Sequence, residues 1–209
     1  MRVSVTKPER RENNRLTGED RRALAEGATR YTATEGILPL REAVAADANR
    51  YVQGLAPVQA NEVVVSNGSK QSLYNACVCC FGPGDEVLIP TPTWPSHTEL
   101  VRLAGGIPIL CPSDASAGFA INIELLRRKI TPRTRLLLLC SPSNPTGAVI
   151  DETTAQALVL LLREHPEIIV MTDDLYRRLV YAPGRFVSLL TWRARRACRI
   201  AKWRCRWRR

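Results

Sequence analysis

With 209 residues, 45% of them hydrophobic, the chain is long enough to bury a core and too apolar for an intrinsically disordered sequence. A formal net charge of +10 would point to a polyanion partner if it were spread over the surface. Residues 191–209 hold eight arginines, one lysine and no acid, which leaves 21 bases against 20 acids in the rest. No apolar run is long enough for a membrane span and residues 1–16 are charged, so neither a membrane segment nor a secretory signal is expected, and the expected address is the cytoplasm.

Residues 1–14 are polar and expected to be poorly ordered, and a short helical pattern over residues 19–26 stops at Gly27. Leu40, Val44, Ala48 and Val52 recur every four residues and predict a helix over residues 38–53, closed by Gly54 and Pro57. From there strands and helices alternate. The patterns predict a strand at 62–66, a helix at 69–80, a strand at 86–89 and a helix at 95–104. A strand at 107–111, a helix at 123–130 and a strand at 135–140 follow. Asp151 then caps a helix running to Glu164, His165-Pro166 ends it, and residues 168–172 form a last apolar run before Asp173-Asp174.

Such alternation implies an α/β fold, a largely parallel sheet covered by helices on both faces. In these sheets ligands gather at the carboxyl ends of the strands. Of the seven cysteines, Cys77, Cys79 and Cys80 share one apolar helical stretch, and Cys111 and Cys140 end apolar runs. They read as small buried hydrophobes in a reducing compartment. Without paired Cys-x-x-Cys knuckles, and with two histidines, no metal site is expected.

Four stretches carry candidate chemistry. Ser66-Asn67-Gly68-Ser69-Lys70 turns a strand into a helix and offers amides to an anion, or is simply a Ser-capped helix start. Trp94, in the loop after the strand ending at Ile89, either covers a planar ligand or plugs the core. The proline-stiffened loop Ser141-Pro142-Ser143-Asn144-Pro145-Thr146-Gly147 presents the Asn144 amide, although an asparagine before a proline is also an ordinary turn residue. Asp173 ends an apolar strand three residues before Tyr176; its carboxylate either pairs with a protonated ring nitrogen or caps a short helix over residues 175–179.

These stretches, in this order, resemble the class I/II aminotransferases, enzymes that use pyridoxal 5'-phosphate. The resemblance rests on Tyr31-Thr32-Ala33-Thr34-Glu35-Gly36, Leu40-Arg41-Glu42-Ala43, Asn67-Gly68-Ser69-Lys70-Gln71, Gly82-Pro83-Gly84-Asp85-Glu86-Val87, Ser143-Asn144-Pro145-Thr146-Gly147 and Asp173-Asp174-Leu175-Tyr176. It covers about residues 23–190, and Trp94 followed by Ser96 looks most like the bacterial aspartate-type subgroup. It implies an incomplete α/β/α sandwich, with an N-terminal arm at 1–30, part of the large cofactor-binding domain at 31–190 and a basic non-family tail at 191–209.

Carried over by position, the resemblance implies that Gly68, Ser69 and Lys70 hold the cofactor phosphate and Trp94 stacks on its ring. It also implies that Asn144 and Tyr176 bond the ring's phenolic oxygen and that Asp173 pairs with the pyridinium nitrogen. Tyr31 matches the residue that reaches the phosphate of a neighbouring subunit, which implies a homodimer acting on amino acids and 2-oxo acids. The Asn144-Pro145 bond is expected to be cis, as in similar proteins.

The departures concern catalysis. The family's Ser-Lys motif, which supplies the Schiff-base lysine, has no counterpart; of Lys7, Lys70, Lys129 and Lys202, only Lys202 follows Asp173, and its surroundings do not match. The tail is expected to be foreign sequence from a reading-frame shift just after Ser188-Leu189-Leu190, and the early Gly-x-Pro-Asp segment is missing before Leu24. No useful turnover is expected, so no catalytic residue is assigned. Two other readings remain: a catalytically dead dimerisation partner, and salt-sensitive attraction of the tail to polyanions, without specific nucleic-acid recognition.

Overall fold

The computed structural model describes residues 18–51, 57–181 and 186–189. The expectations for residues 1–14, for Val52, Gln53 and Gly54, and for the tail with Lys202 lie outside them. Four strands form one sheet: β1 (Glu86–Thr91), β2 (Ile107–Pro112), β3 (Thr134–Cys140) and β4 (Ile169–Asp173), in the order β2-β1-β3-β4. All three pairings are parallel. The expected parallel α/β fold is therefore present, and every strand points its carboxyl end the same way.

Alternation along the strands divides the core in two. Leu88, Leu137, Leu139 and Val170 face helices α5 (Ile123–Lys129) and α6 (Glu152–Glu164), in a cluster that includes Leu126, Ala155, Leu158 and Leu161. Val87, Ile89, Leu136 and Leu138 face the other way, against Leu73 and Cys77 of α3 (Ser69–Cys80) and Val101 of α4 (Pro95–Leu103). Burial on both faces explains why these strands read as unbroken apolar runs. Each fully buried leucine contributes about 1.5–3 kcal/mol relative to exposure, so the sheet is the stable platform of the molecule.

The helices start where the local chemistry says they should. Asp151 accepts the Thr154 amide at 2.7 Å to begin α6, and Asn122 accepts the Leu125 amide at 2.9 Å to begin α5. Two further helices precede the sheet, α1 (Gly18–Ala25) and α2 (Leu38–Asn49), and α2 packs Val44, Ala45 and Ala48 on Val58 and Val63 as a small separate cluster. Leu40, counted in the apolar row, faces outward at 43% exposure, and Ala45 takes its place in the cluster.

Three expectations change. The strand expected at 62–66 is a 3-10 turn over Ala60–Glu62 followed by extended chain. Glu62 folds back to accept the Gln59 amide, and Val65 bonds only to the Glu35 carbonyl, at 2.9 Å; with that one backbone bond no ladder forms among the described residues. The helix expected at 175–179 is a pair of turns, Asp174 to Arg177 and Tyr176 to Leu179. Arg177 and Arg178 there reach sideways to Asp47 on α2, a pull that competes with continued helical winding. Finally, Cys77 and Cys111 are buried as expected, but Cys79 is exposed on α3.

Candidate functional site

The chain enters α3 through Gly68, whose backbone (φ 83°, ψ 167°) lies in a region only glycine adopts without strain. No side chain caps the helix, so the Ser-capped alternative does not hold. The turn is braced from behind: the Ser66 hydroxyl contacts the Ser72 hydroxyl, and the Asn67 amide donates to the Gln71 side chain at 2.6 Å. The first-turn amides of a helix have no intrahelical acceptor, so those of residues 69–71 are left without one, with the Lys70 side chain beside them.

Trp94 precedes α4 and plugs the core, as one of its two readings expected. One side packs on the α3/α4 core cluster, with its ring edge-on to His97 at 5.5 Å, while the Lys70 ammonium lies 5.0 Å from the ring centre. The core holds the indole in place, and its remaining surface is turned toward the start of α3.

His97, one turn into α4, is the residue that sequence reading missed. It is 1% exposed and joins two strand ends: Nε2 lies 3.2 Å from the Asp173 carboxylate and Nδ1 lies 2.8 Å from the Thr93 hydroxyl. The imidazole thus bridges the loop after β1 and the end of β4, its Nε2–H donating to the Asp173 carboxylate. The available signal was the Thr93/His97 spacing of four residues around a helix start, but nothing local links it to Asp173, 76 residues away.

Asp173 uses its other oxygen to accept the Leu175 amide at 3.2 Å, so it both caps the following turn and faces His97. Its side chain is 10% exposed, and among the described residues no lysine or arginine forms a salt bridge to it. Asp174 next to it has its acid pushed up to about 7 by burial and by the Asp173 charge, against the opposing pull of Thr172 and Arg177. Arg177 in turn pairs with Asp47 and stacks over Tyr51 at 5.2 Å, anchoring the turn after β4 to α2.

Asn144 donates its amide to the Tyr176 hydroxyl at 3.3 Å, so these two predicted residues meet although 32 positions separate them. The loop that carries Asn144 is rigid: Ser143 and Ala148 are bonded at 2.8 Å, and the Ile150 amide donates to the Ser141 hydroxyl at 3.0 Å. Asn144-Pro145 is cis as expected, and Thr91-Pro92 and Ser141-Pro142 are cis as well. Tyr31 is fully exposed and makes no contribution to this group within the chain. A separate cavity, lined by Thr93, Phe119, Cys140, Ser143 and Asp151, opens on the α6 side of the same loops.

The loops after β1, β3 and β4 and the start of α3 thus converge on one edge of the sheet. They bring together the first-turn amides of α3, an aromatic face, an amide-phenol pair and a carboxylate hydrogen-bonded to a histidine. The family model for aminotransferase class I and II matches residues 6–201. The chain belongs to the class I and II aminotransferases. These enzymes depend on pyridoxal phosphate.

The match extends beyond the span about residues 23–190 read from the motifs. Among similar proteins, aspartate aminotransferase of Rhizobium meliloti is 42% identical over 166 residues, covering 79% of this chain and 40% of that protein. The bifunctional aspartate aminotransferase and glutamate/aspartate-prephenate aminotransferase of Petunia hybrida is 40% identical, with 79% and 34% covered. In structure, aspartate aminotransferase from Thermus thermophilus aligns with a TM-score of 0.76 and 40% identity over 82% of this chain and 44% of that one. The aromatic aminotransferase from Pyrococcus horikoshii aligns with 0.80 and 30% identity, over 90% and 49%. The chain spans less than half the length of each of these relatives. No helix among the described residues is long and apolar enough to cross a membrane.

Proposed function

We propose that this chain forms the cofactor-binding part of a pyridoxal-phosphate-dependent aminotransferase. The observation that carries the reading is the buried Asp173 carboxylate, held by His97 and the Leu175 amide with no fixed lysine or arginine beside it, at the edge where the other candidate residues gather. A buried carboxylate without a permanent cation suits a ligand that brings one.

The donor set fits the cofactor group by group. The amides of residues 69–71 offer an end for a phosphate dianion, and Trp94 gives a flat face beside it. Asn144 and Tyr176, already bonded to each other, can turn toward a phenolate oxygen, and Asp173 can accept from a ring N–H. His97 orients that carboxylate by donating to one oxygen, and the Thr93 hydroxyl holds the other ring nitrogen. When bound, pyridoxal phosphate supplies an electron sink for charge developing at the amino acid's Cα.

The reaction this site would serve is amino-group transfer between an amino acid and a 2-oxo acid. It also requires a lysine amine to move the proton, and the motif that supplies it in the family does not occur in this sequence. We therefore assign cofactor binding to the residues of this chain. Fully exposed Tyr31 fits a role across a homodimer interface, and thiols without disulfides among the described residues fit a cytoplasmic setting.

Equilibrium dialysis with pyridoxal phosphate tests the reading. Retention that is lost in excess inorganic phosphate and weakened by Asp173→Asn is expected. Retention unaffected by either would refute it.

A further inference from the structure

Lys70 does more than contribute an amide to the start of α3. Its side chain is exposed, and its ammonium sits 5.0 Å from the centre of the Trp94 ring. Trp94 is otherwise engaged by the α3/α4 core and by His97, so the ammonium marks the side of the indole that is open, the side on which a planar ring would stack. The formyl group of pyridoxal phosphate is borne on the ring carbon next to the one carrying the phosphate arm. A phosphate on the amides of residues 69–71 and a ring against Trp94 therefore bring that aldehyde within the sweep of the Lys70 side chain.

The other described lysine is remote. Lys129 ends α5 and runs into the segment leading to Thr134, at the amino end of the sheet and opposite the site. Lys7 and Lys202 lie outside the described residues.

We propose that the Lys70 amine is a covalent attachment point for pyridoxal phosphate on this chain, at a position other than the family's lysine. The inference rests on the cofactor-binding reading above. In the step, the unprotonated Lys70 nitrogen forms a bond to the aldehyde carbon, the carbonyl oxygen leaves as water with both amine protons, and a carbon–nitrogen double bond remains. No oxidant or reductant is involved. The ammonium that now covers Trp94 gives up that face to the ring. Attack requires the free amine, so attachment increases with pH.

The test is reduction of the full chain with borohydride in the presence of pyridoxal phosphate, followed by peptide mass mapping. Borohydride delivers hydride to the imine carbon, solvent protonates the nitrogen, and the link becomes a stable secondary amine. The expected result is a dominant label on Lys70 that disappears in excess inorganic phosphate and is weak with pyridoxal, which lacks the phosphate. Lys70→Arg keeps a cation at the start of α3 but removes the nucleophile; it should lose the label at that position with no compensating label on Lys7, Lys129 or Lys202.

A label on Lys7, Lys129 or Lys202 equal to that on Lys70, or one that phosphate does not compete away, overturns the proposal. Retained cofactor that borohydride never fixes overturns the proposal and leaves the binding reading standing. Absence of both retention and phosphate-sensitive label overturns the two together.

Discussion

Glu86 and Asp173 are carboxylates buried at opposite ends of one sheet, and the protein treats them differently. Glu86 opens β1 with its side chain 4% exposed. It receives the Thr131 hydroxyl at 2.5 Å and two guanidinium contacts from Arg133, at 2.6 and 3.0 Å. The Thr131 bond first, then Arg133, hold its acid below the usual carboxylate range. Asp173 closes β4 at 10% exposure, with a histidine and a backbone amide as partners and no lysine or arginine among the described residues. A buried carboxylate completed by a fixed cation belongs to the architecture. One held by a histidine and a backbone amide is the one proposed to meet a ligand.

The sharpest way to break this contrast is to remove each charge and measure both properties. Asp173→Asn is expected to weaken pyridoxal phosphate binding by about 2–4 kcal/mol in dialysis, while shifting unfolding free energy by less than about 1 kcal/mol. Glu86→Gln is expected to do the reverse, costing about 2 kcal/mol in urea unfolding with cofactor affinity unchanged. If the two variants exchanged phenotypes, the assignment of one end to structure and the other to the site would fail.

Replacing Gly68 by alanine comes next. The backbone there disfavours any Cβ, so a loss of about 1–3 kcal/mol is expected, divided between unfolding and cofactor release. A stability-neutral variant with full cofactor affinity would show that the turn has no fixed shape.

Asp174 sharpens the comparison through pH. Its folded acid is raised to about 7 from an ordinary 3.8, so between those values the folded state binds more proton than the unfolded one. This group therefore makes stability fall as pH rises through that window, with a slope of at most about 1.4 kcal/mol per pH unit. Glu86 has the opposite sign: its lowered acid contributes stability that is lost as pH falls below about 4.5. Asp174→Asn should flatten the decline toward neutral pH in urea titrations and leave the acid limb in place.

The smallest expected effect is at His97. His97→Asn should weaken cofactor binding by about 1 kcal/mol, by removing one hydrogen bond to Asp173 while the carboxylate keeps the Leu175 amide. A loss as large as that of Asp173→Asn would mean that the histidine contacts the ligand itself.

Most of the sheet was legible because the central strands β1 and β3 are buried on both faces and the helices α5 and α6 carry local start signals. The strand expected at 62–66 had the same apolar character, yet its first residues bond back into the 3-10 turn and Val65 bonds to Glu35. Strand pattern states readiness to pair; pairing itself depends on what lies alongside. The turn at 175–179 was misread for a related reason, since its arginines are drawn to Asp47, about 130 positions earlier.

By itself the sequence determined which residue types stand at the carboxyl ends of the strands and which family pattern they follow. Periodicity and turn chemistry act over a few neighbouring residues and survive translation into structure. Only the tertiary structure decided their partners: His97 against Asp173, Lys70 over Trp94, Asn144 with Tyr176, Arg177 on Asp47. Those contacts are set by how strands pair and how helices pack across the sheet, and no local pattern encodes them.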